Sequence, residues 1–135
     1  MLRVSDPARI ELVREVVQAH AYWRMKGLLV DLVITNDDPS VYRQALYDLI
    51  MGTIAAGSQA QMLDKPGGIF VRRAEQISDE DRILLQTAAR VVLNDTEGTL
   101  KEQVERRPRV EFAMPRLDAT FTRGKKSART EIQEP

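Results

Sequence analysis

The sequence predicts an α/β protein: a small three-layer module in which a short, mainly parallel sheet of about three strands is flanked by helices in the order βαβαβα, with an irregular C-terminal tail. Three observations predict it. Runs with apolar residues at three- and four-residue steps alternate with short aliphatic runs that lack polar alternation, the pattern of helices crossing over a sheet covered on both faces. Two Asp-Pro pairs, Asp6-Pro7 and Asp38-Pro39, stand 32 residues apart and open equivalent helices, about the length of one βα unit. From Pro108 onward the periodic apolar residues thin out and prolines and polar residues take over, which is linker composition.

Taken in order, Leu2, Arg3 and Val4 form the first strand. Asp6 caps the first helix, Pro7 suits its first turn and Gly27 marks its end. Between them Ile10, Val13, Val16 or Val17, His20 and Trp23 place one stripe against a core. Leu28 to Thr35 reads as the second strand, with six aliphatic residues in eight. A turn at Asn36-Asp37-Asp38-Pro39 leads to a second helix from about Ser40 to Ala56, whose buried stripe is Val41, Ala45, Leu46, Leu49, Ile50 and Ile54. Pro66-Gly67-Gly68 precedes a short third strand, Ile69-Phe70-Val71. Ser78 caps a third helix with Asp79, Glu80 and Asp81 in its first turn, where carboxylates favour the positive end of the dipole. Its apolar side is Ile83, Leu84, Thr87, Ala88, Val91 and Val92, and Leu100 to Arg107 adds a last helical turn or two. Parallel strands joined by right-handed crossovers are expected.

The division is therefore residues 1–107 as the α/β module and 108–135 as a linker leading to a missing downstream domain. The first strand of such a sheet is expected to be central, and three residues are a poor template for its neighbours. Upstream sequence is accordingly expected to be lost.

Composition removes several classes of function. Lys plus Arg and Asp plus Glu number 20 each, so no overall field draws the chain to nucleic acid or to an anionic membrane. Neither partner is expected. The tail from Arg106 to Arg129 carries eight basic residues against Glu111 and Asp118, but prolines break it and a solvated linker accounts for it better than a nucleic-acid arm. Cysteine is absent, which excludes disulfide scaffolds, thiolate metal sites and cysteine nucleophiles. The apolar run around Leu28 to Ile34 is far short of the roughly 20 residues of a membrane span.

The chemical candidates gather at the carboxyl edge of the sheet, where open α/β folds place ligands. Asn36, Asp37 and Asp38 follow the second strand; Arg72, Arg73, Glu75 and Gln76 follow the third. Carboxylates beside arginines can hold a sugar, a phosphate or a metal, and Asp37, Asp38, Arg72 and Arg73 are the candidate ligand residues. The competing account, in which Asp38 caps a helix and the others solvate loops, is the weightier one, because loops after strands are polar in any case. His20 is the sole histidine; on the apolar stripe it is expected to be a partly buried ring with one hydrogen bond, without a partner for general-base work. Tyr22 and Trp23 could stack on a sugar, with core or interface packing the stronger reading. Gly67-Gly68 precedes a strand rather than a helix, so a phosphate loop fails on topology. No catalytic residue, metal ligand or cofactor is assigned.

Three stretches carry a resemblance beyond residue chemistry: Ala19-His20-Ala21-Tyr22-Trp23-Arg24-Met25-Lys26-Gly27-Leu28, Val30-Asp31-Leu32-Val33-Ile34, and Pro66 through Arg82 with its Pro-Gly-Gly-Ile-Phe-Val-Arg-Arg-Ala-Glu-Gln-Ile-Ser-Asp-Glu-Asp-Arg run. Up to about Arg107 the chain resembles the cyclic β-1,2-glucan synthases, large bacterial inner-membrane proteins that join a glycosyltransferase domain to a C-terminal region similar to cellobiose phosphorylase. The resemblance implies a segment of that C-terminal region, ahead of the phosphorylase-like barrel, with a longer strand before it. The glycosyltransferase motifs and the phosphorylase acid and phosphate-binding residues have no matching positions here. What the resemblance implies is a non-catalytic accessory segment of a machine making cyclic glucan from UDP-glucose. Its partners would be neighbouring domains of the same polypeptide and β-glucan, and it would be cytoplasmic or held at the inner membrane through the parent protein. The alternative is a free-standing doubly wound module that binds a small ligand or a protein.

Overall fold

The computed structural model describes residues 1–106. The expectation for residues 108–135, and for Arg107, lies outside the described residues. The elements are β1 (Leu2–Val4), α1 (Ile10–Met25), β2 (Leu32–Asn36), α2 (Arg43–Ala56), β3 (Ile69–Arg73), α3 (Asp79–Ala88), β4 (Leu93–Asn94) and α4 (Leu100–Glu105), with single 3-10 turns between several of them. Four strands form one parallel sheet in the order β3-β2-β1-β4.

Register assigns the faces. Leu2 lies opposite Ile34, which lies opposite Val71, and Leu2 also lies opposite Leu93. Since strand side chains alternate, Leu2, Val4, Leu32, Ile34, Ile69, Val71 and Leu93 share the first face. All are buried there with Leu12, Val13, Val16 and Val17 of α1 and Leu46, Ile50 and Ile54 of α2. These fourteen residues are the core, each fully buried aliphatic contributing about 1.5–3 kcal/mol. The second face carries Arg3, Val33, Thr35, Phe70, Arg72 and Asn94. The step from β3 to β4 crosses the sheet in the direction opposite to the two earlier steps. A right-handed connection therefore lays α3 on this second face, which gives the three layers.

The fourth strand corrects the expected count. Val91 and Val92 continue the helical spacing of α3, but Ala89 is already extended (φ −67°, ψ 123°) and ends the helix. Leu93 then donates its N–H to the Met1 carbonyl at 2.9 Å, joining the free side of β1. β1 is thus internal, as expected. The second strand begins at Leu32 rather than Leu28, because Gly27 turns the chain at φ +81° and Leu28 N–H folds back to the Trp23 carbonyl at 2.9 Å. Leu28 and Leu29 are left exposed. The first and second α-helices begin later than expected, at Ile10 and Arg43.

The two Asp-Pro pairs do repeat a device. Asp6 Oδ1 accepts from Ala8 N at 2.9 Å and Asp38 Oδ1 from Ser40 N at 2.8 Å, so each carboxylate closes a turn two residues on. At the outer side of β4 the buried Gln103 amide does the work of a further strand. Its Oε1 accepts from Asn94 N at 3.1 Å, and its Nε2 donates to Asn94 O at 2.8 Å. α4 is held in place for this by a capping box between Thr99 and Glu102.

Candidate functional site

Beyond the carboxyl ends of β2 and β3 lies a cavity of about 170 Å³. Asn36, Asp37 and Asp38 wall it from one strand end, Arg73 and Glu75 from the other, and Arg43 and Arg82 reach it from α2 and α3. Asn36 is 3% exposed and fixes the loop from inside: its Nδ2 donates to the Arg43 carbonyl at 2.7 Å and its Oδ1 accepts from Asp38 N at 3.1 Å.

Every charged group that lines this cavity has a partner within the chain. Asp37 Oδ2 accepts from Arg3 Nε at 2.7 Å. Arg43 pairs with Glu75 at 2.6 Å. Arg73 donates to the Gln44 side-chain oxygen and lies 4.9 Å from the Tyr47 ring centre, a cation–π distance. Arg82 Nη2 donates to the Ala74 carbonyl at 3.2 Å. The Ser40 side chain and its amide, followed by Arg43, hold the Asp38 carboxyl below its ordinary value, partial burial opposing them. Asp38 therefore serves a turn, although the helix beyond it starts only at Arg43.

Of the four candidate ligand residues, the fold brings Asp37, Asp38 and Arg73 together and sends Arg72 elsewhere. Adjacent strand residues point to opposite faces, so Arg72 leaves on the second face, where Nη1 meets Asp64 Oδ1 at 2.9 Å and the guanidinium lies 5.8 Å from the Phe70 ring centre. Arg3, Arg43 and Arg82 were not among the candidates. Arg3 stands on β1, one of the two internal strands, and the two others approach from helices with no motif to single them out.

Sequence reading also missed Asp95. In a sheet ordered 3-2-1-4 the crevice between β1 and β4 is the topological switch point, the usual ligand position of an open α/β fold. Here Asp95 fills it. Its carboxylate is 2% exposed and accepts from Ser5 N at 2.7 Å, Asp6 N at 2.9 Å and the Ser5 hydroxyl at 3.1 Å. The backbone N–H groups that would greet an anionic ligand are consumed internally. Recognition of Leu93-Asn94 as a strand would have exposed Asp95 as the residue at its end.

The remaining candidates are simply placed. His20 is 1% exposed and its Nε2 lies 2.7 Å from the Val30 carbonyl, while Nδ1 has no hydrogen-bond partner among the described residues. The carbonyl can only accept, so Nε2 carries the proton and the ring pins the loop before β2 to α1. Tyr22 and Trp23 are 55% and 39% exposed, with Lys26 Nζ 5.5 Å from the Tyr22 ring centre. Neither ring is in the core. Among the described residues no three His, Asp or Glu side chains converge to hold a metal ion, and no helix is long and apolar enough to cross a membrane.

Fold and site together define a doubly wound α/β segment whose carboxyl edge is knitted by internal ion pairs and carboxylate turns. No family model matches the chain. It is similar to the cyclic β-(1,2)-glucan synthase NdvB of Rhizobium meliloti (strain 1021), with 29% identity over 106 residues. The match takes in 78% of this chain and 4% of that synthase. The chain is thus a distant relative of one small segment of a cyclic glucan synthase, in keeping with the resemblance carried by its own residues.

Proposed function

We propose that the chain is a non-catalytic accessory segment of a polypeptide of the cyclic β-1,2-glucan synthase type, bracing neighbouring carbohydrate-active domains. The observation that carries this reading is the internal pairing at the carboxyl edge. A general acid or base needs a proton-transfer partner in the substrate, whereas Asp37, Asp38, Glu75 and Asp95 are engaged by arginines, turn amides and a switch-point loop. Similarity to 4% of a synthase supports a part rather than a whole machine.

The test is made in the full-length R. meliloti synthase, with alanine at the positions equivalent to Asp37, Asp38 and Arg73. Glucan formed from UDP-glucose is then measured per intact molecule. Unchanged turnover is expected. A fall of about 100-fold or more, the scale of a lost general acid or base, in a protein that remains folded would move these residues into the chemistry and end the accessory reading. A second reading, contact with the glucan itself, is favoured by the open rings of Tyr22 and Trp23. Titration of the purified chain with β-1,2-glucooligosaccharides, followed by Trp23 fluorescence, tests it; a flat response removes it.

A further inference from the structure

The wall of the cavity beyond β2 and β3 is not evenly neutralised. Asp37 is paired with Arg3 at 2.7 Å, and Arg43 with Glu75 at 2.6 Å. The Asp38 carboxylate is committed to its turn with Ser40. Arg73 and Arg82 differ. Among the described residues neither forms an ion pair. Arg73 Nη2 donates to the Gln44 side-chain oxygen and Arg82 Nη2 to the Ala74 carbonyl, both neutral acceptors. A guanidinium has five N–H donors and does not lose its charge in a protein, so one hydrogen bond apiece leaves most of that capacity open. Both residues are half-buried, which raises the cost of holding a charge without a counter-charge.

We infer that this cavity, about 170 Å³ in volume, is a binding site for the phosphate group of a small ligand, held between Arg73 at the end of β3 and Arg82 on α3. Four arginines, with Arg3 behind Asp37, stand against three carboxylates in this wall, so one positive charge is in excess. The acidic first turn of α3, Asp79 to Asp81, is exposed and does not line the cavity. A carboxylate is satisfied by a single guanidinium fork, whereas a phosphate has oxygens enough for two guanidiniums arriving from different elements. The switch point between β1 and β4 offers the contrast. There the Asp95 carboxylate supplies the anion from within the chain; among the described residues no carboxylate does so for Arg73 and Arg82. Holding a phosphate moves no proton, so the site goes beyond the accessory reading without conflicting with it.

The test is a thermal scan of the 135-residue chain near neutral pH, with chloride replaced by inorganic phosphate, by methyl phosphate or by acetate at constant ionic strength. Tm is expected to rise saturably with phosphate, with half-saturation on the order of 1 mM, the strength of about two charge-assisted hydrogen bonds. A rise with methyl phosphate as well assigns the site to a phosphate ester; a rise with inorganic phosphate alone assigns it to the free ion. Arg73→Gln and Arg82→Gln are each expected to weaken the response about tenfold or more, while Arg14→Gln, at an exposed pair on α1, leaves it unchanged. The parent chain decides the matter even if one variant fails to fold, because a flat phosphate response in the parent overturns the inference. So does a shift that acetate reproduces, or one that both arginine variants retain. Loss of turnover on alanine substitution at the carboxyl edge of the full-length synthase would defeat the accessory reading and leave the phosphate titration of the short chain as it was, so the two failures are distinguishable.

Discussion

Replacing Asp95 with alanine removes three short contacts at once. Ser5 N, Asp6 N and the Ser5 hydroxyl approach its carboxylate at 2.7, 2.9 and 3.1 Å, tying the end of β1 to the end of β4 across some ninety residues of chain. Hydrogen bonds to a charged group are worth about 1.5–3 kcal/mol each, and a donor left dry costs about 1–3 kcal/mol. Ser5 is half-buried and Asp6 exposed, so water recovers part of the loss at Asp6 and little at Ser5. The expected cost is about 2–4 kcal/mol. For a chain of this size that lowers Tm by about 8–16 °C. Asp95→Asn, which keeps one acceptor oxygen, should fall between parent and alanine variant, and Ser5→Ala should cost less than either. Urea unfolding and a thermal scan of the three variants measure the series. An alanine variant within about 0.5 kcal/mol of the parent, the range of an ordinary surface change, would refute the view that Asp95 locks the switch point.

Three further outcomes are expected. The Asp38 carboxyl is held below its ordinary value of 3.8 by Ser40 and Arg43; a group depressed in the folded state adds stability that is complete above the unfolded value and lost as pH falls through the folded one. The urea midpoints of parent and Asp38→Asn should therefore differ most at near-neutral pH and converge in acid, and a gap that widens in acid would contradict the assignment. Gly68→Ala would drive its methyl group into the Met62 carbonyl oxygen and to 2.7 Å from that of Lys65; these are backbone atoms that cannot swing aside, so a loss of about 1–3 kcal/mol is expected in the same unfolding assay. Ile50→Ala, at a position with no exposure, should cost about 2–5 kcal/mol, with a smaller loss indicating that α2 packs less closely than its burial implies.

The parallel α/β class was legible because the crossover helices and the aliphatic runs carry different periods, as α1 and β2 illustrate. The fourth strand was not, because two residues are too few to establish a period and Val91 and Val92 fit the helical spacing equally well. Competition with tertiary pairing decided the matter: β1 offered a free side, and Leu93 took it. The carboxyl-edge site was legible as a location but not as a constellation. Strand alternation alone separates Arg72 from Arg73, whereas the arrival of Arg43 and Arg82 depends on where two helices begin and lie. Asp95 was invisible for the same reason as β4, since a strand-end residue cannot be recognised when its strand is not.

The amide of Gln103 has a consequence beyond stability. A bare strand at the margin of a sheet offers its peptide groups to any extended chain that drifts past, the first step toward a fibril. Here the outward N–H and C=O of Asn94 are already engaged by a single glutamine, so ladder growth is stopped on that flank by chemistry in place of distance, and β4 can stay two residues long without becoming adhesive.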